Sequence, residues 1–293
     1  MNKEAHIDLH THSTCSDGTW TPTQLVEEAE RLGLRALALT DHDTVSGIPE
    51  ALLAKEGKQV EVIGGIELAA YYHFPWAAGE KVEIHIVGLW VDHTNKALLA
   101  ATKDFGLRRQ RRNQQMTALL TSLGFPMTYE ELLEEAGTDN CTRAHYARLM
   151  VKKGYVADKK EAFATYIGHG KPGFVPRDLP DPATCIDLIH QSGGVAVLAH
   201  STLYGLNYGQ ITQMAEELKA LGLDAMEVRY STYRAEQERE ITKIAQSLGL
   251  AFSGGSDFHG DNKPDISLGI GRGHLAVPES FLEPLRSRRP QKG

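Results

Sequence analysis

Two histidines one residue apart, His10 and His12, close a short apolar run containing Ile7 and Leu9. Side chains alternate along an extended strand, so both imidazoles leave on the same side and converge. Neutral imidazole is the commonest ligand for a transition metal. Similar groups recur down the chain: Asp17 in the turn after the first run, His42 in Thr40-Asp41-His42-Asp43, and Glu67 just beyond Gly64-Gly65. His85 sits in a fourth apolar run, His200 follows Val195–Ala199, and Asp257 and His259 lie in Gly254–Gly260. Six imidazoles and three carboxylates exceed what one four- to six-coordinate ion takes. They suit a centre of two or three ions in which a carboxylate such as Glu67 bridges. Of the three cysteines, only Cys15 lies near these positions, and it falls in a loop. A nitrogen and oxygen donor set disfavours a closed structural zinc site and favours Mn²⁺, Fe²⁺ or catalytic Zn²⁺.

The elements that must place these groups can be read from the pattern. Thr21-Pro22 caps and opens a helix that Gly33 ends. Strands are expected at 34–39, at 60–63 leading through the Gly pair to 66–68, at 82–89, at 195–199, at 225–230 and at 250–253. Helices are expected at 182–191, 211–221 and 234–247. Helix–strand alternation argues for a parallel sheet. Counting the first run, there are seven strands. Polar residues gather at the C-terminal ends of nearly all of them, which favours closure into a barrel. Between 95 and 166 no strand pattern occurs, and Thr128, Thr142 and Asp158 are spaced as helix N-caps. The division expected is therefore an α/β barrel of residues 1–98 and 174–293, interrupted by a helical insertion, 99–173, that shapes the substrate pocket. The polar tail from Arg286 is expected to fray.

The chain has 293 residues, 41% of them hydrophobic, and a net charge of −7. This argues against a broad nucleic-acid surface and a stable DNA complex, while a local cation cluster for a small anion remains compatible. Three scattered cysteines give no disulfide framework. No signal peptide or membrane-spanning run is apparent, so a cytoplasmic setting is expected.

The ordered set His10-x-His12, Thr-Asp-His42-Asp, Gly-Ile-Glu67, His85, Ala-His200 and Ser-Asp257-Phe-His259 resembles the PHP (polymerase and histidinol phosphatase) family, over residues 5–93 and 195–261. The resemblance implies a distorted (β/α)7 barrel whose metal cluster hydrolyses phosphoesters. His10, His12, Glu67 and Asp257 would hold one ion, Glu67, His85 and His200 a second, and Asp17, His42 and His259 a third. Mn²⁺ would be the leading metal. The nucleophile would be a metal-bridging hydroxide, so no Ser or Cys nucleophile is needed. The helical insertion is similar to that of small bacterial members acting on nucleoside 3′,5′-bisphosphates and on short 5′-phosphorylated RNA ends. The expected reaction is removal of phosphate from a nucleoside 3′,5′-bisphosphate to leave the 5′-monophosphate. A 5′→3′ exonuclease on short RNA is the close alternative. A histidinol-phosphate phosphatase fits the insertion less well. A metal-dependent amidohydrolase or deaminase, and a non-catalytic PHP binding module, are the readings from other classes.

Substrate contacts are expected from Arg143, Lys171 and Arg177, whose cationic heads match phosphate. Asn207 and Tyr208 complete the expected set. Tyr72, Tyr204, Tyr208, Tyr230 and Tyr233 are candidate base-stacking platforms. Asp43 is placed to orient His42 or to cap a turn. The basic run Arg108–Arg112 reads as a solvated helix face, and Glu227 sits in an apolar strand without an assigned role.

Overall fold

The structure is a computed structural model, and residues 6–77 and 79–291 are described. Seven strands lie side by side in chain order: β1 (Ile7–Thr11), β2 (Ala36–Leu39), β3 (Glu61–His73), β4 (Lys81–Leu89), β5 (Val195–Leu198), β6 (Ala225–Tyr230) and β7 (Ala251–Gly255). The outer strands meet as well. The His12 amide donates to Phe258 O at 3.0 Å and the Asp257 amide to His10 O at 2.8 Å, so the sheet curls into a nearly closed barrel.

The sheet is not wholly parallel. β4 runs antiparallel to both β3 and β5. Only residues 74–80 join β3 to β4, which suits a hairpin, whereas a parallel crossover needs a dozen residues or more. The two runs read around Gly64-Gly65 are one 13-residue strand. A Cβ on Gly65 would sit 2.7 Å from Gly88 O, so only glycine allows β4 this close. As a consequence His85 reaches the barrel mouth from the middle of a reversed strand rather than from a strand's C-terminal end.

Ile7, Leu9, Ala36, Ala38, Ile63, Val87, Val197, Ala225 and Ala251 fill the barrel interior. Leu282 and Leu285 of a short C-terminal helix (Leu282–Arg286) join the same cluster. Arg286 pairs with Glu61 at 2.8 Å, and Arg288 and Arg289 donate to Gly249 O and Gly193 O. These partners stand at or just before the starts of β3, β7 and β5, so the segment closes the end of the barrel opposite the histidines. Its first residues are tied down rather than frayed.

Helices α1 (Pro22–Leu32) and α2 (Ile48–Ala54) cover β2 and β3. Thr21 and Gly33 cap α1 as its sequence implies. Between β4 and β5 the chain runs through α3 (Lys96–Ser122), α4 (Tyr129–Ala136), α5 (Arg143–Lys152) and α6 (Lys159–Glu161) into a π-helical turn, Ala162–Ile167. Thr128, Thr142 and Asp158 are the N-caps of α4, α5 and α6. Met116, Leu120, Leu132, Tyr146, Met150 and Ile167 belong to a buried cluster separate from the barrel interior. The chain then returns to the barrel through α7 (Pro182–Gln191), α8 (Tyr208–Ala220) and α9 (Ala235–Ser247). Among the described residues no helix is long and apolar enough to cross a membrane.

Gly255 faces β1 so closely that a Cβ there would lie 2.5 Å from both the backbone N and the Cβ of His10. Gly255→Ala is expected to cost about 1–3 kcal/mol through overpacking at the barrel seam. Thermal denaturation followed by circular dichroism should show a lower melting temperature, and an unchanged one would mean that the seam is looser than this.

Candidate metal centre and substrate cleft

Glu67 is the centre of the barrel mouth. Its position matches the interior parity of Ile63 on β3. The carboxylate is 1% exposed and four imidazoles press on it: His85 Nδ1 at 2.7 Å, His42 Nδ1 at 2.9 Å, His200 Nε2 at 3.1 Å and His12 Nε2 at 3.2 Å. His10 Nε2 stands 3.4 Å away. On one flank Asp257 Oδ1 approaches His12 Nε2 and His259 Nδ1, each at 3.3 Å. On the other, Asp17 Oδ1 approaches His259 Nε2 at 3.2 Å.

All nine side chains singled out in the sequence therefore meet. Their donor atoms form four overlapping sets, each within 4.8 Å: His12, Asp17, His42 and His259; His10, His12 and Asp257; His10, Glu67 and His200; and His42, Glu67 and His85. The grouping differs in detail from the family-based partition, because His12 also joins Asp17 and His42 also joins Glu67. Cys15 belongs to none of the sets.

The local backbone is bent to achieve this convergence. The β1–β2 register shifts between Asp8 and Thr11, which lets Leu9 join the interior while the next residue, His10, also turns toward the mouth. Asp43, His200 and Asp257 have φ of 53°, 27° and 55°, a region that side-chain-bearing residues enter at a cost and that recurs at functional sites.

The donor chemistry fits divalent cations. His10 Nδ1 lies 2.8 Å from the Glu227 carboxylate, which fixes its proton there and leaves the Nε2 lone pair facing the mouth. His10 Nε2 lies 3.1 Å from His12 Nε2. Glu67 Oε2 and Asp17 Oδ1 are buried without a hydrogen-bond donor. Acceptors crowded this closely need positive charge between them. With protons as the only cations, the carboxylates hold them on the imidazoles. Burial alone would depress His12, but Asp257 and Glu67 lift it to about 9. Burial likewise opposes His85, yet Glu67 raises it to about 10. Burial would raise the Glu67, Asp17 and Asp257 carboxyls, and the surrounding cations instead hold all three well below their ordinary range.

Supporting residues fix the geometry. Glu227 also accepts from the His200 amide at 2.7 Å, so one buried carboxylate positions two of the histidines. Its signal in the sequence is a charge inside an apolar strand. Asp257 Oδ2 is taken by Lys263 at 2.5 Å and by the Tyr230 hydroxyl at 2.7 Å, which leaves Oδ1 for the centre. Thr142, at the head of α5, donates to Asp17 Oδ2 at 3.0 Å. Asp43 does not reach His42. Its carboxylate is clamped by Arg109 of α3 and Arg177 of the return segment, with burial outweighed and the pKa drawn down to about 2. The Arg108–Arg112 run is therefore not a solvated face: Arg109 and Arg112 are buried, because α3 packs that side against the barrel mouth.

Above the cluster lies a cleft of about 820 Å³, lined by Asp17, His42, His85, His200 and His259 on the barrel side. Its cationic lining comprises Lys81, Arg109, Arg112, Arg143, Arg177 and Lys263. Of the residues expected to contact substrate, Arg143 and Arg177 line this cleft. Lys171 is exposed on the return loop outside the lining, and Asn207 is the exposed N-cap of α8, its side chain engaged with Gln210. Tyr208 packs against the outer core and does not line the cleft. Tyr204 does line the cleft, its hydroxyl on Ala199 O and its ring edge-on to His200 at 5.7 Å. The other candidate tyrosines are outside the lining: Tyr72 bonds Glu217, Tyr230 bonds Asp257, and Tyr233 is buried beside Tyr230.

Comparison with known proteins agrees with this geometry. The chain matches the PHP domain family over residues 8–167. It is 36% identical over 252 residues to a 5′-3′ exoribonuclease of Haemophilus influenzae, covering 86% of this chain and 89% of that one. It is 31% identical over 266 residues to a 3′,5′-nucleoside bisphosphate phosphatase of Chromobacterium violaceum, covering 90% and 91%. A crystal structure described as a metal-dependent phosphoesterase from Bifidobacterium adolescentis matches with a TM-score of 0.83 at 29% identity, covering 98% and 97%. The chain belongs to the PHP family, and it is a metal-dependent hydrolase of phosphoester bonds.

Glu227→Gln removes the charge that makes His10 basic while keeping the side chain's shape. Mn²⁺ affinity, read by competition titration, is expected to fall about 10–100-fold with the fold intact. Unchanged affinity would show that Glu227 does not tune the centre.

Proposed function

We propose that the chain removes one phosphate from a nucleoside 3′,5′-bisphosphate, giving the nucleoside 5′-monophosphate and inorganic phosphate. The observation that carries this reading is a single cleft with two zones, a floor where Asp17, His42, His85, His200 and His259 of the candidate metal cluster are exposed to it and a wall of arginines. A substrate with one reacting phosphate and one anchoring phosphate fits that division. The volume, about 820 Å³, lies within the range for small-molecule sites, roughly 300–1,000 Å³. Similarity to a protein named for this activity supports the reading.

His10, His12, Asp17, His42, Glu67, His85, His200, Asp257 and His259 would hold two or three ions, with Mn²⁺ preferred over Fe²⁺ and Zn²⁺ for this nitrogen and oxygen set. Divalent cations held there would neutralise phosphoryl charge and make water a competent nucleophile near neutral pH. The chain's own groups do the positioning. Glu227 keeps the His10 proton on Nδ1. Lys263 and Tyr230 hold Asp257. Arg143, whose guanidinium lies over the Phe174 ring at 5.3 Å and lines the cleft, offers a planar fork to a phosphate. Three unpaired cysteines, two of them buried, support a reducing cytoplasmic setting.

Similarity to a 5′-3′ exoribonuclease favours a second reading, in which the same anchor holds the 5′-phosphate of a short RNA. Steady-state assays of the Mn²⁺-loaded protein separate the two. A bisphosphate is expected to exceed the matching 3′-monophosphate in kcat/KM by about 10²-fold, from hydrogen bonds to a charged group worth ~1.5–3 kcal/mol. EDTA should abolish turnover and Mn²⁺ restore it. Higher kcat/KM on 5′-phosphorylated oligonucleotides would favour the exonuclease. No turnover of either class with Mn²⁺, Fe²⁺ or Zn²⁺ would overturn both.

A further inference from the structure

A second cavity, of about 400 Å³, shares none of its lining residues with the cleft. It is bounded by one stripe of α3 running from Leu99 to Gln110, by α4, and by the loop segments at 43–44 and 139–140. Three neighbouring pairs divide the two spaces between them. His42 lines the cleft and Thr44 the cavity; Thr142 lines the cleft and Asn140 the cavity; Arg109 lines the cleft and Gln110 the cavity. The Asn140 side chain donates to His42 O, and Thr142, two residues on, donates to Asp17 Oδ2 at 3.0 Å. An occupant touching Asn140 therefore bears on His42 directly and on Asp17 through Thr142. Gly106 lines the same cavity from within the 27-residue α3, where glycine weakens a helix. Nothing lies within 4 Å of the Cβ it lacks, so no packing contact demands glycine there. What the missing side chain does is keep the cavity open.

The lining selects a kind of ligand. Leu99 and Leu107 are 43% and 44% exposed, and with Leu133 and the Tyr129 ring they give the cavity apolar faces. Hydrogen-bonding groups stand among them. The Gln110 amide makes no hydrogen bond among the described residues, and Asn140 uses its Nδ2 on His42 O, which leaves its Oδ1 as an acceptor. The Tyr129 hydroxyl, pushed up to about 12 by burial and by Cys141 and Asp139 beside it, stays a neutral donor. Formal charge cancels: Lys103 is balanced by Asp139, and Asp43 is already neutralised by Arg109 and Arg177. That balance gives no seat to a phosphate. It suits a neutral, planar ring system, whose faces meet leucine and tyrosine and whose edge meets the amides. We propose that this cavity binds a neutral nucleoside, and that its occupation tightens metal binding by holding Asn140 on His42 and Thr142 on Asp17. This rests on the reading of the cluster as the centre of a nucleotide phosphoesterase, since nucleosides are the dephosphorylated form of the substrates that reading assigns. The coupling is reciprocal: bound metal tightens the nucleoside by the same factor.

The test uses the whole chain loaded with Mn²⁺, its Gly106→Leu variant, whose side chain enters the cavity, and Gln110→Ala, which removes one amide. Leucine is the better helix former, so Gly106→Leu is expected to melt at the wild-type temperature or higher and to keep wild-type turnover in the absence of nucleoside. Adenosine and uridine are titrated by calorimetry. Wild type is expected to bind at least one of them and Gly106→Leu neither, while Gln110→Ala should bind about 3–10-fold more weakly, as for one lost neutral hydrogen bond. Saturating nucleoside should tighten Mn²⁺ affinity, read by competition titration, about 5-fold or more in wild type and leave Gly106→Leu unchanged. No binding of either nucleoside, or equal binding by wild type and Gly106→Leu, would overturn the proposal, and so would a Mn²⁺ affinity that nucleoside does not change. Gly106-dependent binding and coupling in a protein that hydrolyses no phosphoester would retain the nucleoside site and discard the reaction.

Discussion

The Glu67 carboxylate at the barrel mouth has more acceptors and lone pairs around it than protons can comfortably serve. Its neighbours are imidazoles from β1, from β4 and from the loops after β2 and β5, so the cluster exists only if those segments are held together. Each can occupy its place because positive charge relieves the repulsion among the rest. In the protein alone the carboxylates around them, against the effect of burial, push His10, His12 and His85 toward their protonated forms. Divalent ions offer the same compensation at lower cost in protons, which couples metal binding to proton release. Glu227, Tyr230 and Lys263 then act as braces, each occupying the face of a ligand that points away from the centre.

A second electrostatic knot joins the insertion to the barrel. Asp43 follows His42 in an αL conformation and receives Arg109 from α3 and Arg177 from the return segment. Removing one partner of such a buried network leaves an unpaired charge, which is far worse than never having built it. The helices between β4 and β5 are thereby registered over the candidate metal cluster, with Thr142 donating to Asp17 and Asn140 donating to His42 O. The wall of the cleft and its floor are coupled through these contacts.

Much of the site was legible in the sequence because metal ligation demands particular atoms at strand ends, and those atoms stand out against apolar runs. The strands, the caps at Thr21, Thr128, Thr142 and Asp158, and the convergence of the nine side chains follow from local pattern. What was not legible depends on tertiary placement. The reversal of β4 is set by the short 74–80 connection, whose apolar flanks look the same in either direction. The burial of Arg109 and Arg112 depends on where α3 packs, since a run of arginines on a helix is usually solvated. Lys171 and Asn207 carry suitable chemistry but lie outside the cleft lining, and of the candidate tyrosines only Tyr204 lines it. Asp43 was read against its sequence neighbour His42, while its actual partners lie 66 and 134 residues away.

The account depends most on more than one divalent ion sharing the space around Glu67. Crystals grown with Mn²⁺ and measured for anomalous scattering at the manganese edge test that directly. The account predicts two or three anomalous peaks bounded by Glu67, Asp17, Asp257 and the six histidines. A single peak, or none in Mn²⁺-saturated crystals, would contradict it.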